Sequence, residues 1–445
     1  MNIRIILICV AGLLLMANQA FSQFGLQVGN LGNRIWSQTY NPARLSSSPS
    51  GSIDVGVMGT GWFGNNNANI AGIFAENNVI TQETADRLVG ELSTGNALTA
   101  GYALDLLSVN LDLGSRRWGF YIGSGLNVSA EFNEAKTLGL VLKGNGPYKG
   151  DTIQDSDITA NFYQVNSIGA ATTFDINEKL KLGVRLNLLQ GSRIFDLEES
   201  SYQLYTSSNG TQVDLDANYA FRSSPDLAGS NAFSFNGFGG SLNAGLTYQV
   251  NEKIQLEAAV TDLGLLSWTT DKKSRMVELD AFEGIFIENV LADDLSGLIE
   301  NEVDSLTALI TPDSTRESYT MLTPVRLRLG AAYDLNEDAQ VIATLIYSPL
   351  RQGAHTPLPL LNVTYQHEIL DGFMLGANAY GGGYDTYGFG LMGTYRIETD
   401  KFDLDLLVGS DNLTGLLVPS VGRGMSAYGG VGVTFGKTSS NSTEF

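Results

Sequence analysis

The stretch Gly237–Trp268, GFGGSLNAGLTYQVNEKIQLEAAVTDLGLLSW, decides the fold. It alternates, turns tightly and alternates again. In the first arm Phe238, Leu242, Ala244, Leu246 and Tyr248 share one face, while Gly239, Ser241, Asn243, Gly245, Thr247 and Gln249 share the other. In the second arm Ile254, Leu256, Ala258 and Val260 oppose Gln255, Glu257 and Thr261. Side chains along a strand point to opposite faces in turn, so the pattern predicts a hairpin with one apolar and one polar face. Arms of about ten residues are long enough to cross a bilayer as tilted strands. The unit recurs along the chain. The expectation is an all-β protein, a transmembrane antiparallel up-and-down β-barrel.

Composition agrees. Charged residues make up only 16% of the chain, yet mean hydropathy is near zero. A barrel gives that profile because only alternate residues meet lipid. The one long apolar run, Ile5–Met16, lies between Arg4 and a small-x-small site at Ala20-Phe21-Ser22. About twelve apolar residues are too few to span a bilayer, so residues 1–22 are expected to be a cleaved secretory signal peptide. The sole cysteine, Cys9, lies inside it. The mature chain then has no disulfide, thiolate metal site or cysteine nucleophile. A formal net charge of −21 repels nucleic acid. Acidic loops suit an outer-membrane surface, where carboxylates share divalent cations with lipopolysaccharide.

Residues 23–51 are polar and irregular and contain Asn41-Pro42-Ala43. The barrel is expected over 52–435, with extracellular insertions at 61–98, 133–159, 195–235 and 269–322 and a short tail at 436–445. Within the insertions, Thr81–Leu92 has the pattern of a short helix. Residues 212–222 alternate but are poorly apolar on the outer face, which suggests a loop extension rather than a spanning strand. Leu291–Ile310 has the spacing of an amphipathic helix ended by Pro312. A parity shift near Leu106-Leu107 predicts a bulge. Counting spans gives about fourteen, an even number, which leaves both termini on one side of the membrane. Every second connection is short, as periplasmic turns are. Phe174–Glu178, Tyr248–Glu252 and Tyr333–Glu337 share the form aromatic-x-aliphatic-Asn-Glu at these turns. An aromatic just above a turn is the expected interfacial girdle.

Asn41-Pro42-Ala43 resembles the N-terminal element of the FadL/TodX-type long-chain fatty-acid transporters, and of the related type IX secretion barrel PorV. Asp262-Leu263-Gly264 with Trp268, and Asp411-Asn412-Leu413, resemble elements of an outer-membrane barrel family of Bacteroidota similar to these transporters. The resemblance covers essentially the whole mature chain. It implies a fourteen-strand barrel in the Gram-negative outer membrane with residues 23–51 plugging the lumen. It also implies one of two functions: a carrier of hydrophobic small molecules, or, as in PorV, a scaffold that holds a surface or secretion-system protein. Tyr428-x-Gly430-x-x-Val433-x-Phe435 is similar to the signal read by the barrel-assembly machinery, although ten residues follow it here.

Little in the sequence points to catalysis. His355 and His367, the two histidines, fall on opposite sides of the membrane in this topology and cannot share a triad or a metal site. No nucleotide loop is present, and no cofactor, metal or enzymatic activity is expected. On the lumen face Arg185, Arg326 and Arg328 are candidates for holding a carboxylate. Glu257, Asp403 and Asp405 point the same way, so the competing expectation is a network in which these charges neutralise one another.

Overall fold

The computed structural model describes residues 26–31, 34–45, 52–65, 82–92, 95–113, 116–225, 227, 229–282, 312–349, 358–383, 387–418 and 422–436. Among these, seventeen strands form one antiparallel sheet. They are β1 (Ile53–Asn65), β2 (Asn96–Asp112), β3 (Arg117–Phe132), β4 (Thr152–Asp155), β5 (Thr159–Asp175), β6 (Leu180–Thr206), β7 (Val213–Ser223), β8 (Gly237–Asn251), β9 (Ile254–Phe282), β10 (Asp313–Leu322), β11 (Arg326–Asp334), β12 (Ala339–Tyr347), β13 (Leu358–Leu370), β14 (Phe373–Gly383), β15 (Tyr387–Glu398), β16 (Phe402–Ser410) and β17 (Gly424–Phe435). The ring closes where β1 pairs with β17, from Ile53 opposite Phe435 to Gly64 opposite Gly424. Fourteen strands make the closed barrel. Of the remaining three, β4 and β7 pair with the extensions of β6 and β9, and β10 continues along β9 from where β11 leaves it.

The surface is inverted relative to a water-soluble protein. On the outside, Phe120, Ile168, Leu186, Leu188, Leu329 and Leu391 are exposed, while Asn187, Asn243, Thr247, Asn362, Thr364 and Asn378 are buried within. An apolar exterior this continuous needs lipid around it. Among the described residues no helix is long and apolar enough to cross a membrane; the strands do the crossing. Phe174, Tyr248, Tyr333, Tyr365 and Tyr395 are exposed at the short-turn end, as an aromatic girdle requires. The recurring asparagine of those turns has its own task. Asn177 accepts from the Lys179 and Leu180 amides and Asn251 from those of Lys253 and Ile254, each at 2.9 Å, while Asn336 accepts from Asp338 at 3.0 Å. The side chain thus closes the reversal that the backbone begins.

The opening hairpin holds one departure from simple alternation. Asp262 has a positive φ of 60° and donates its N–H to Asn243 at 2.8 Å. Here β9 exchanges neighbours: its pairing with β11 ends at Thr261 opposite Arg326, and its pairing with β10 begins at Leu265 opposite Leu322. The extra residue flips the parity. Leu263 and Leu265 face outward, and Leu266 and Trp268 turn in. A bulge re-aims side chains in this way, and Asp262-Leu263-Gly264 is that bulge. The bulge expected near Leu106-Leu107 is present, as a register shift between Asp105 and Leu107.

The insertions contain more strand than the sequence suggested. β6 runs on to Thr206, β9 runs on to Phe282, and β10 covers 313–322, so much of 195–235 and both described ends of 269–322 are sheet. Residues 213–223 are a strand outside the ring, since β7 pairs only with the extensions of β6 and β9. The short helix expected at 81–92 is present as α1 (Gln82–Glu91). A second, α2 (Ala135–Lys143), occupies a stretch expected to be irregular. It is stable through tertiary contact: Leu138 and Leu142 pack on a core of Phe63, Leu88, Leu92, Phe132 and Met425 at the long-loop rim. Nine residues are too few to hold a helix alone. The expected signal peptide at 1–22, the helix expected over 291–310, His355 and residues after Gly436 lie outside the described residues.

Candidate functional site: the plug and its two flanks

Residues 26–45 cross the lumen in three short 3-10 turns, Val28–Asn30, Ser37–Thr39 and Pro42–Arg44. The last turn explains the Asn-Pro-Ala motif. Asn41 caps it, its Oδ1 accepting the Ala43 N–H at 3.0 Å, and Pro42 supplies a preset φ at the first position. The motif lies flat on the wall. A Cβ at Gly183 would sit 2.2 Å from the Ala43 nitrogen, and one at Gly245 would sit 2.0 Å from Asn41 Oδ1. Only glycine admits so close an approach.

On this flank the strong polar groups are tied into one network, although Arg328 Nη1, Asn378 Oδ1 and Gln27 Oε1 are buried without a hydrogen-bond partner. Glu257 of β9, 5% exposed, accepts from Arg44 Nε at 2.7 Å, from Asn41 Nδ2 at 3.1 Å and from Arg328 Nε at 3.1 Å. Arg328 Nη2 also donates to Asn30 Oδ1. Asn30 donates to Thr364 at 3.1 Å, Asn362 donates to Thr364 at 2.9 Å, and Asn378 donates to Asn362 at 3.0 Å. The chain ends at Asp411, just past β16, whose carboxylate accepts the backbone N–H of Leu26 at 2.8 Å and of Gln27 at 3.1 Å. Burial pushes the Asp411 carboxyl up to about 7, against the pull of those two N–H groups. Between these ends Arg34 pairs with Asp405, which also takes a two-pronged contact from Arg396 at 2.9 and 2.8 Å. Trp36 donates to the Val57 carbonyl at 3.1 Å.

The opposite flank, against β1, β2, β3 and β6, is different. Thr39 donates to Asp105 at 2.9 Å. Arg185 lies with its guanidinium carbon 4.1 Å from the centre of the Tyr121 ring, and its Nε donates to Asn187 at 2.7 Å. Asp105 and Arg185 feel each other electrostatically. Yet Arg185 Nη1, the Tyr121 hydroxyl and both amide atoms of Asn110 are buried without a hydrogen-bond partner. The wall here is slack as well. β1 and β2 run side by side, but they pair only at Asn65 opposite Leu98 and through the Asp112 N–H to the Ser52 carbonyl. Every other seam of the ring is a ladder of eight or more residue pairs, interrupted in four of them only by bulges or local register shifts.

The three lumen arginines therefore separate. Arg328 is committed to Glu257 and Asn30, and Arg326 sits within electrostatic reach of Tyr40. Arg185 and Arg328 each bury one Nη1 without a hydrogen-bond partner, and what separates them is that Arg328 is also bonded to a carboxylate. The motif similar to an assembly signal is split between faces. Tyr428 is buried in the lumen and Gly430 backs on Trp36, whereas Phe435 is exposed and lies 6.4 Å from the Phe402 ring. Asp105, Tyr121 and Asp411 were not singled out from sequence as lumen contacts. Their partners are remote in the chain, and only Asp411 lay in a quoted motif. Among the described residues no group of three or more metal-ligating side chains occurs.

Among solved structures, the chain is similar to the Pseudomonas putida toluene transporter TodX at 13% identity, covering 94% of each chain with a TM-score of 0.45. It is also similar to the Ralstonia pickettii toluene transporter TbuX (10% identity, 90% and 93% covered, TM-score 0.45). A Pseudomonas aeruginosa FadL homologue matches at 11% identity, with 91% and 94% covered and a TM-score of 0.41. No curated protein matches in sequence. A family model does match, over residues 45–402, and the chain belongs to that family, DUF5723, a family of unknown function.

Proposed function

We propose that this protein is a FadL-like outer-membrane channel that carries hydrophobic small molecules, releasing them sideways through the β1–β2 seam. The seam is the observation that carries the reading. Backbone N–H and C=O groups facing hydrocarbon without partners cost several kcal/mol each, so a membrane wall is normally laddered throughout. A wall that leaves one seam unladdered keeps water or a ligand at that line. The bulge at Asp105–Leu107 lies in β2, on its β3 side, one strand edge away from this seam. Across the seam Gly59 of β1 faces Leu104 of β2, a Cβ on Gly59 falling 3.3 Å from the Leu104 side chain. Leu104 is thus a movable apolar cover over a gap without a side chain. A plug tied across the lumen closes the straight route and leaves the sideways one.

Stapling tests this. The double variant Gly59→Cys/Leu104→Cys, oxidised, is expected to abolish uptake of a hydrophobic fluorophore into cells or proteoliposomes, with recovery on reduction. Uptake unaffected by the staple would defeat the sideways route. A protein partner recovered in fixed stoichiometry with an uptake-silent barrel would favour the PorV-like scaffold instead.

A further inference from the structure

We infer that the unsatisfied flank of the plug binds the uncharged polar head of an amphipathic molecule, an amide or hydroxyl group bearing an apolar tail, in preference to a carboxylate. The inference rests on the carrier reading for the route of the tail, though not for the binding itself.

The polar atoms converge. Asn110 pairs with Gly119 across the β2–β3 ladder. A Cβ on Gly119 would lie 2.5 Å from the Tyr121 hydroxyl, so the ring of Tyr121 reaches down its strand to the Asn110 position. Arg185 lies on the face of that same ring. Arg185, Tyr121 and Asn110 are 7%, 2% and 3% exposed, and each has a polar atom without a partner. A buried group left unpaired costs about 1–3 kcal/mol, so several together mark a place that something else fills.

The set of groups defines the filler. Arg185 Nη1 can only donate, while the Tyr121 hydroxyl and the Asn110 amide can each donate and accept. A head that both accepts and donates, such as a carboxamide, answers all three. The charges argue against an anion. Asp105 faces Arg185 without an ion pair between them among the described residues, and it is held in place by Thr39. One positive and one negative group leave the site neutral. An entering carboxylate meets attraction and repulsion of similar size and still loses its hydration. Asp105 stands at the bulge that β2 makes against β3, and β2 is also one edge of the β1–β2 seam, so on the carrier reading the tail leaves along that edge.

Binding of dodecanamide, dodecanoate and dodecane to the protein in nanodiscs, followed by native mass spectrometry at pH 8, tests the inference. The wild type is expected to hold dodecanamide about tenfold more tightly than dodecanoate. Asp105→Asn removes the repulsion, keeps an acceptor for Thr39 and is expected to reverse that order. Tyr121→Phe, which deletes one hydroxyl, should weaken dodecanamide several-fold and leave dodecane unchanged. A wild type that prefers dodecanoate, or an order that Asp105→Asn does not alter, overturns the inference. If no probe binds while staple-sensitive uptake persists, the atoms are served by water: the inference falls and the carrier reading stands. If uptake is also insensitive to the staple, both fall.

Discussion

The two flanks of the plug are built from the same residue types and end in opposite conditions. On the Glu257 side one carboxylate gathers Arg44, Arg328 and Asn41, and the hydrogen bonds run on to Asn30 and the β13–β14 asparagines. On the Arg185 side a cation, a phenol and an amide are equally buried, and each keeps an atom without a partner. The wall follows suit: β9 and β11 ladder over eight residue pairs, whereas β1 and β2 lie side by side but bond to each other only at their ends. A buried polar network stabilises when every member is satisfied and costs free energy when it is not. What distinguishes the first flank is its ion pairs, Glu257 with Arg44 and with Arg328, which anchor the plug; among the described residues the second flank has no such pair between Arg185 and Asp105.

The largest expected effect breaks the anchor. Glu257→Leu leaves two guanidinium groups and an amide buried and uncompensated, a loss of about 3–5 kcal/mol. The plug should release, giving tryptic cleavage at Arg34 and Arg44 and a raised single-channel conductance. A variant as closed and protease-resistant as the wild type would remove the anchor from the account.

A smaller effect concerns the far end of the network. The folded Asp411 carboxyl titrates at about 7, far above its free value near 4. The docked state therefore binds its proton more tightly than the undocked state. Docking of Leu26 and Gln27 is strongest at acid pH and weakens as pH rises from about 4 to about 7. The Gln27 amide resonance should titrate with that midpoint, and Asp411→Asn should remove the titration. A shift that persists in the variant would assign it elsewhere.

The smallest effect sharpens the contrast. Tyr121→Phe discards a hydroxyl that has no partner, so stability should stay within about 1 kcal/mol of wild type or rise. A clear loss in denaturant would mean that the hydroxyl is satisfied in the resting protein.

Much of the fold was legible because it rests on short-range pattern. The alternation of Phe238–Tyr248 against Ser241–Thr247 fixes which face meets lipid, and the parity slip at Leu106 locates a bulge. Other parts were not. Residues 135–143 look irregular because nine residues show barely two helical turns, and the packing of Leu138 and Leu142 decides the matter. The extension of β9 beyond Trp268 reads as insertion because residues 269–275, TTDKKSR, have no apolar face, and it is a strand because β7 and β10 pair with it.

What the sequence by itself determined is thus the barrel: its strands, its lipid and lumen faces, its girdle and its turns. All of these depend on residues a few positions apart. What only the tertiary structure decided is which lumen charges neutralise one another. Arg44 and Glu257 lie 213 residues apart, and Leu26 and Asp411 lie 385 apart. Such partners meet only after the ring has closed and the plug has taken its path across it. No local period encodes either event, so three arginines that look alike in sequence end up paired with Glu257, near Tyr40 and stacked on the Tyr121 ring.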